Sequence, residues 1–213
     1  MTARIIVTGT DTGIGKTVFA AGLTRLLDGY YFKPVQAGLG EETDTAVVQR
    51  LSALPVQRML PEVWRLNTPA SPHLAAERDG VIIDPTALNL PTLDRPLIVE
   101  GAGGLMVPLT RNELYIDLFA TWRAPVVLCA RTALGTLNHT LLSLEALQRR
   151  GIPVLGIALI GDVHADNERT LREMGRVPIL GTLPLLNPLT PQSLGKAFSV
   201  AFARESFTAT AAP

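Results

Sequence analysis

A glycine-rich segment near the N-terminus carries the clearest chemistry in the chain. It reads Gly9-Thr-Asp-Thr-Gly-Ile-Gly-Lys-Thr17 and lies between a short β-branched run and a helical pattern. In such a turn, backbone N–H groups surround phosphate oxygens, a lysine neutralises the β and γ phosphates, and a hydroxyl can hold Mg²⁺. The sequence therefore predicts a P-loop that binds nucleotide phosphates through Thr12, Gly13, Ile14, Gly15, Lys16 and Thr17.

The spacing of this segment departs from the usual pattern in one respect. Four residues normally separate the first glycine from Gly-Lys-Thr, whereas Gly9 stands one residue too early and Thr10 takes its place. An ordinary strand-to-helix turn is the alternative interpretation. We favour the phosphate site because strand, turn and helix signals occur in the required order.

Three charged residues lie at the ends of other predicted strands or helices. Glu100 ends a buried apolar run, so it is expected to bind Mg²⁺ or, alternatively, to form a helix cap or a salt bridge with an arginine. Lys33, one of only three lysines, is expected to face an anion rather than solvent. Asp44 stands at a helix start, where an acidic residue complements the helix dipole. Its residue type alone does not decide between this structural role and a functional role at the site.

The fold class follows from alternating patterns along the chain. Apolar runs at residues 4–8, 30–35, 96–99, 125–130, 154–160 and 179–183 alternate with helical patterns at residues 15–27, 43–54, 113–122, 135–150, 164–175 and 191–204. Shorter signals predict a helix at 74–77 and extended pieces at 63–66 and 105–109, and residues 55–95 are the least regular. The runs lack in–out alternation, which predicts an α/β fold, doubly wound, with a mostly parallel sheet and helices on both faces. Such a sheet collects its ligands at the carboxyl ends of the strands.

Length and composition limit the classes of protein that are possible. A chain of 213 residues with 47% apolar residues suits one domain spanning residues 1–213. The formal net charge of zero argues against a general nucleic-acid binder. One cysteine, Cys129, cannot form an intramolecular disulfide and is expected to be core. No apolar stretch is long enough for a membrane span or a signal peptide, so we expect a cytoplasmic protein with a frayed tail from Ser206.

Five segments together resemble the dethiobiotin synthetase family. They read Val7-Thr-Gly-Thr-Asp-Thr-Gly-Ile-Gly-Lys-Thr17, Phe32-Lys-Pro-Val-Gln-Ala-Gly38, Ser71-Pro72-His73, Val99-Glu-Gly-Ala-Gly-Gly-Leu-Met-Val-Pro108 and Leu134-Gly-Thr-Leu-Asn-His-Thr140. The resemblance implies a P-loop enzyme of biotin synthesis that uses ATP and Mg²⁺. The family closes a cyclic urea on 7,8-diaminopelargonate with CO₂, through a carbamate and a carbamic-phosphoric anhydride.

The resemblance also implies roles for individual residues. Lys16 and Lys33 would be catalytic, and Thr17, Asp44 and Glu100 would hold Mg²⁺. Further nucleotide-binding residues would be Gly101, Ala102, Gly103, Gly161, Asp162, Pro184, Leu185 and Leu186. Substrate-binding residues would be Thr10, Lys33 and Ala37, joined by Gly135, Thr136, Leu137 and Asn138 from the partner in a homodimer.

Two departures from the family pattern affect specificity. Ala37 stands where the family usually has serine or threonine, so only its backbone can contact the substrate. Gly161 stands where many members have an asparagine that contacts adenine, which leaves the nucleobase preference open.

Two other functions compete with this interpretation. The related division and partition ATPases are switch proteins, but they carry a signature lysine where this chain has Asp11. An amidoligase fed by a glutaminase would need a second domain with a nucleophilic cysteine, and 213 residues with one cysteine in an apolar run do not supply it.

Overall fold

The computed structural model describes residues 2–208. The strands are β1 (Arg4–Gly9), β2 (Tyr30–Phe32), β3 (Val35–Ala37), β4 (Met59–Leu60), β5 (Trp64–Leu66), β6 (Leu97–Gly104), β7 (Val126–Arg131), β8 (Val154–Ile160) and β9 (Ile179–Leu183). The α-helices are α1 (Lys16–Leu27), α2 (Asp44–Ser52), α3 (Pro72–Arg78), α4 (Tyr115–Trp122), α5 (Thr136–Arg149), α6 (Ala165–Gly175), α7 (Pro191–Ala201) and α8 (Glu205–Thr208). No helix within residues 2–208 is both long and apolar enough to cross a membrane.

Seven of these strands form one parallel sheet, in the order β4-β2-β6-β1-β7-β8-β9. The central strand β1 pairs with β6 on one side and β7 on the other. The predicted doubly wound α/β fold is confirmed. Because all the paired strands run in one direction, their carboxyl ends meet at one edge of the sheet, which is where the polar residues predicted above should gather.

Helices cover both faces of the sheet because every second strand residue points to the same side. Ile5 and Val7 of β1 pack with α1, α2, α7 and α8, whereas Ile6 between them packs against α4 and the irregular region. On the second face, α5 and α6 cover β7 and β8. Each strand is therefore apolar on both sides, which explains the continuous apolar runs in the sequence.

The predicted strand at residues 30–35 is wrong as a single element. Tyr30–Phe32 joins the main sheet, while Val35–Ala37 pairs with Trp64–Leu66 in a separate two-stranded sheet. Lys33 and Pro34 lie between them, and a proline has no N–H to donate to a ladder. The break leaves the Lys33 side chain at the point where the chain departs from the main sheet.

Other boundaries also differ from the predictions. The run at 96–99 continues through Glu100 and the glycines to Gly104, because pairing with β1 resumes at Gly9 after an irregularity. Residues 105–109 contain only an isolated bridge, from Pro108 to Leu114. The edge strand β4 had no sequence signal. The predicted fraying is wrong for residues 206–208, because α8 buries Phe207 beside Phe19; residues 209–213 lie outside the described range.

Candidate active site

The P-loop connects β1, the central strand, to α1, which begins at Lys16. Gly15 precedes the helix with φ +97°, a left-handed conformation that favours glycine, and no side chain caps the helix. The first N–H groups of α1 are therefore available to an anion. Lys16 is 6% exposed, and its Nζ donates to the Asp11 carbonyl oxygen at 2.7 Å, which folds the lysine back over the loop.

Lys33, Asp44 and Glu100 form a compact charged cluster beside the P-loop. Lys33 Nζ lies 2.8 Å from Asp44 Oδ2 and 3.2 Å from Glu100 Oε1. The same ammonium donates to the Gly101 carbonyl oxygen at 2.9 Å. Its three N–H groups therefore have three acceptors, and two of these are carboxylates. The alternative interpretation of Glu100 as the partner of an arginine is wrong, because its salt bridge is with Lys33.

The pKa values of these groups follow from burial and from their neighbours. Burial alone would lower the pKa of Lys33, but Glu100 and Asp44 outweigh it and raise the pKa above its usual range. Burial lowers the pKa of Lys16, although Glu100 acts in the opposite direction. Burial would raise the pKa of Asp44, but the charge of Lys33 and its hydrogen bonds hold it below the usual value. At neutral pH, Lys33 and Asp44 are thus an ion pair.

The oxygen atoms around Thr17 have the chemistry of a divalent-cation site. Thr17 Oγ1 lies 2.9 Å from Asp44 Oδ1 and 2.9 Å from Glu100 Oε1. A hydroxyl has one proton, so it can donate to only one of these carboxylates, and the other contact lacks a proton. A cation among the three oxygens would satisfy all of them, so these residues fit Mg²⁺. Within residues 2–208 no three His, Cys, Asp or Glu side chains form a metal-binding group.

Neighbouring elements hold these side chains in place. Thr43 caps α2 by accepting from the Ala46 N–H, and Gln36 Oε1 accepts from the Asp44 N–H at 3.1 Å. Asp44 is thereby fixed at the first turn of the helix, where it contacts the cluster. Asp44 begins α2, which agrees with a helix-start role, and it also faces Lys33; its role as a metal ligand stays a prediction.

Adjoining cavities link the sequence-predicted residues. One of about 480 Å³ is lined by the P-loop with Lys33, Asp44, Glu100 and Gly103. A second, of about 540 Å³, extends from Gly13–Gly15 to Gly161, Asp162 and Leu185. A third, of about 480 Å³, leads away from Lys33 between Ala37, Ala102 and Ser71. A further cavity, of about 490 Å³, is lined by Thr10 and Thr12.

Some predicted residues lie apart from these cavities. Gly135, Thr136, Leu137 and Asn138 line none of the four cavities, and the neighbouring Leu134 is fully exposed. Pro184 and Leu186 flank Leu185 without lining a cavity themselves, and Gly101 takes part through its carbonyl oxygen. Cys129 is fully buried in β7, as predicted.

Two residues at the site were given no role from the sequence. Arg131, at the end of β7, donates to the Thr12 carbonyl oxygen at 3.1 Å and lines the cavity beside Gly161. Tyr31 donates to Glu100 from β2. Arg131 directly follows an apolar run, which places it at the carboxyl end of a predicted strand and so at the edge of the sheet where ligands bind. Tyr31 stands two residues before Lys33, and only the pairing of β2 with β6 shows what it contacts.

The parallel sheet, with a P-loop between its central strand and α1, defines a P-loop nucleotide-binding protein. A family model described as an AAA domain matches residues 3–193. The chain is 64% identical over 207 residues to an ATP-dependent dethiobiotin synthetase of Rhodopseudomonas palustris strain HaA2, covering 97% of each chain. It is 57% identical over 211 residues to the Brucella melitensis biotype 2 protein of the same name, covering 99% and 100%. The chain belongs to the ATP-dependent dethiobiotin synthetase family.

Solved structures support the fold. A cell division ATPase MinD from Pyrococcus furiosus aligns with a TM-score of 0.58 at 16% identity, covering 93% of this chain and 95% of that one. A ParA family ATPase from Chlorobium tepidum TLS aligns with a TM-score of 0.52 at 13% identity, covering 97% and 96%. At these identities the likeness concerns the fold alone, whereas the sequence relatives are synthetases.

Proposed function

We propose that this protein uses ATP and CO₂ to convert 7,8-diaminopelargonate to dethiobiotin, a step of biotin synthesis. The names of relatives that match nearly the whole chain support this activity. The observation that carries the proposal is the meeting of Lys33 and two carboxylates at the Thr17 hydroxyl, in a cavity that Lys16 also lines. This arrangement suits the transfer of a phosphoryl group to an anionic acceptor, because the positive charges face both reactants.

The nucleotide would lie along the cavities that adjoin the P-loop. Residues 12–17 would bind the phosphates through backbone N–H groups, the Lys16 ammonium and the Thr17 hydroxyl. The cavity beside Gly161, Asp162 and Leu185 would take the base. Residues 101–103 and 184–186 would border the nucleotide on either side. Lys16 would leave the Asp11 carbonyl oxygen for a phosphate, a stronger charge-assisted contact.

Thr17, Asp44 and Glu100 would hold Mg²⁺, which would neutralise charge on the phosphate oxygens. The Thr17 hydroxyl has one proton but contacts two carboxylate oxygens, which supports this assignment. The Lys33 ammonium contacts both carboxylates and also lines the cavity that leads to Ala37, so it lies between the metal residues and that cavity. It would stabilise negative charge on the carbamate and on the phosphoryl group in transfer.

The substrate supplies its own nucleophiles. One amine adds to CO₂ and loses a proton to form a carbamate, whose oxygen then attacks the γ-phosphorus and releases ADP. The second amine attacks the carbonyl carbon of the mixed anhydride, loses a proton and expels phosphate, which closes the ring. The protein would contribute positioning and charge neutralisation. Ala37 has no hydroxyl, so its wall of the cavity would contact substrate through backbone and methyl groups only.

We further propose a cytoplasmic homodimer in which each chain acts as one domain. Gly135, Thr136, Leu137 and Asn138 begin α5 and line none of the four cavities of their own chain, which suits a contribution to a partner's site. The nearby side chains of Leu134, Leu142 and Met106 are exposed, as expected for a surface that a second copy covers.

The proposal is tested by measuring phosphate release with the diamine and bicarbonate present together, and with each omitted. We expect release to require both, and mass spectrometry to show dethiobiotin formed one-to-one with phosphate. Phosphate release that is unaffected by the diamine and bicarbonate would indicate a switch ATPase and contradict the proposal. A Lys16→Ala variant is the control for contaminating phosphatases.

A further inference from the structure

The hydroxyl of Tyr31 contacts the candidate metal residues from behind. Tyr31 is fully buried in β2, and its hydroxyl donates to Glu100 Oε2 at 2.8 Å. The other carboxylate oxygen, Oε1, faces Thr17 and Lys33. We propose that Tyr31 is a positioning residue that orients the Glu100 carboxylate toward a divalent cation. This inference rests on the metal site proposed above.

The strand register explains why residue 31 can reach this carboxylate. Tyr31 pairs with Ile98, and both pack on the α1 side of the sheet, whereas Phe32 and Val99 pack on the other side. Glu100 is two residues beyond Ile98 and points to the same side as Ile98. Two strand residues span about 6.6 Å, which is roughly the length of a tyrosine side chain. The hydroxyl therefore arrives at Glu100.

Tyr31 restricts a carboxylate whose contacts with Thr17 and Lys33 hold only one of its two oxygens. Rotation about the last torsion of a glutamate is broad and roughly two-fold, so either oxygen could face Thr17. Glu100 is 1% exposed, and water cannot readily replace a lost donor there. With Oε2 engaged by Tyr31, Oε1 stays directed at Thr17. A ligand held in this way loses less freedom when it binds a cation.

The test compares three tyrosine-to-phenylalanine variants. Tyr31→Phe removes the hydroxyl that contacts Glu100. Tyr30→Phe changes the adjacent, half-buried tyrosine, whose ring packs under Arg58 at 5.0 Å. Tyr115→Phe changes a fully buried tyrosine whose hydroxyl has no hydrogen-bond partner among residues 2–208. The two controls therefore match the test residue in chain position and in burial, respectively.

The readout is Mn²⁺ binding, measured by electron paramagnetic resonance with a non-hydrolysable ATP analogue bound. Partners of metal ligands typically change metal affinity by about 10–100-fold, so we expect Tyr31→Phe to weaken Mn²⁺ binding at least tenfold. Tyr30→Phe and Tyr115→Phe should bind Mn²⁺ like the wild type. In turnover assays, Tyr31→Phe should raise the Mg²⁺ concentration needed for half-maximal rate while kcat at saturating Mg²⁺ recovers.

A structural role alone gives a different result. If Tyr31→Phe lowers the free energy of unfolding but leaves the Mn²⁺ affinity of the folded protein unchanged, the inference is overturned. Circular dichroism of each variant measures the folded fraction, and the Mn²⁺ titrations are corrected for it. Glu100→Gln separates this inference from the metal site itself. If Glu100→Gln weakens Mn²⁺ binding and Tyr31→Phe does not, only the role of Tyr31 fails; if neither does, the metal site fails as well.

Discussion

Replacing Lys33 with methionine tests how the buried carboxylates are stabilised. The change removes the ammonium that contacts both Asp44 and Glu100 but keeps an unbranched side chain of similar length. The two carboxylates then lie close to the single Thr17 hydroxyl, which has one proton to share between them. We therefore expect the variant to fold with a reduced free energy of unfolding when Mg²⁺ is absent.

The size of the loss follows from the distances and the burial. At an effective dielectric constant of about 20, contacts of this length correspond to roughly 5–6 kcal/mol each of Coulombic attraction. The variant no longer buries an ammonium, which offsets much of that loss. Removing one partner of a buried ion pair costs about 3–5 kcal/mol. We expect about 3 kcal/mol, because the Asp44 side chain is 30% exposed and keeps some hydration.

Urea unfolding without Mg²⁺ measures this loss directly. Lys196→Met is the control, because Lys196 is exposed on α7 and its loss should change the unfolding free energy little. The low pKa of Asp44 contributes stability above its unfolded pKa, and this contribution disappears as pH falls through the folded value. The difference between Lys33→Met and wild type should therefore be constant near neutral pH and shrink in acid. Equal unfolding free energies at pH 7 would refute the reasoning.

Three further outcomes are expected. Lys16→Ala should slow turnover by roughly a hundredfold or more with the fold intact, because a preorganised positive charge that faces the transferred phosphoryl group contributes about 3 kcal/mol to transition-state stabilisation. Near-normal steady-state turnover would contradict the P-loop assignment. Light scattering should give twice 22.8 kDa at assay concentrations, and a fully active monomer would contradict the shared site. Nucleobase choice should be relaxed, with CTP used comparably to ATP, because Gly161 offers no hydrogen-bonding side chain. Competition kinetics with the two nucleotides measure this choice. A preference for ATP above about a hundredfold in kcat/KM would show that main-chain groups recognise the base. Gly161→Asn is a poor reverse test, because residue 161 has φ +127° and an added Cβ would clash with Thr132 Oγ1.

The features that the sequence determined by itself are local. The P-loop between β1 and α1 follows from a glycine-rich segment of nine residues and its flanking patterns, and the parallel sheet follows from apolar runs that alternate with helices. Carboxyl ends of parallel strands share an edge, so the sequence alone predicts Lys33 and Glu100 at one edge of the sheet. Each of these inferences needs only the residue types within one element and the direction of its strand.

Contacts between distant segments were decided by the tertiary structure. Tyr31 and Glu100 are 69 positions apart, and Arg131 and Thr12 are 119 apart. Periodicity cannot show which strand pairs with which, nor in what register, and a shift of one residue would turn Tyr31 away from Glu100. The split of residues 30–35 between two sheets and the burial of Phe207 depend in the same way on partners far along the chain. The sequence places charged residues at an edge of the sheet, and the packing of β2 against β6 decides which of their atoms meet.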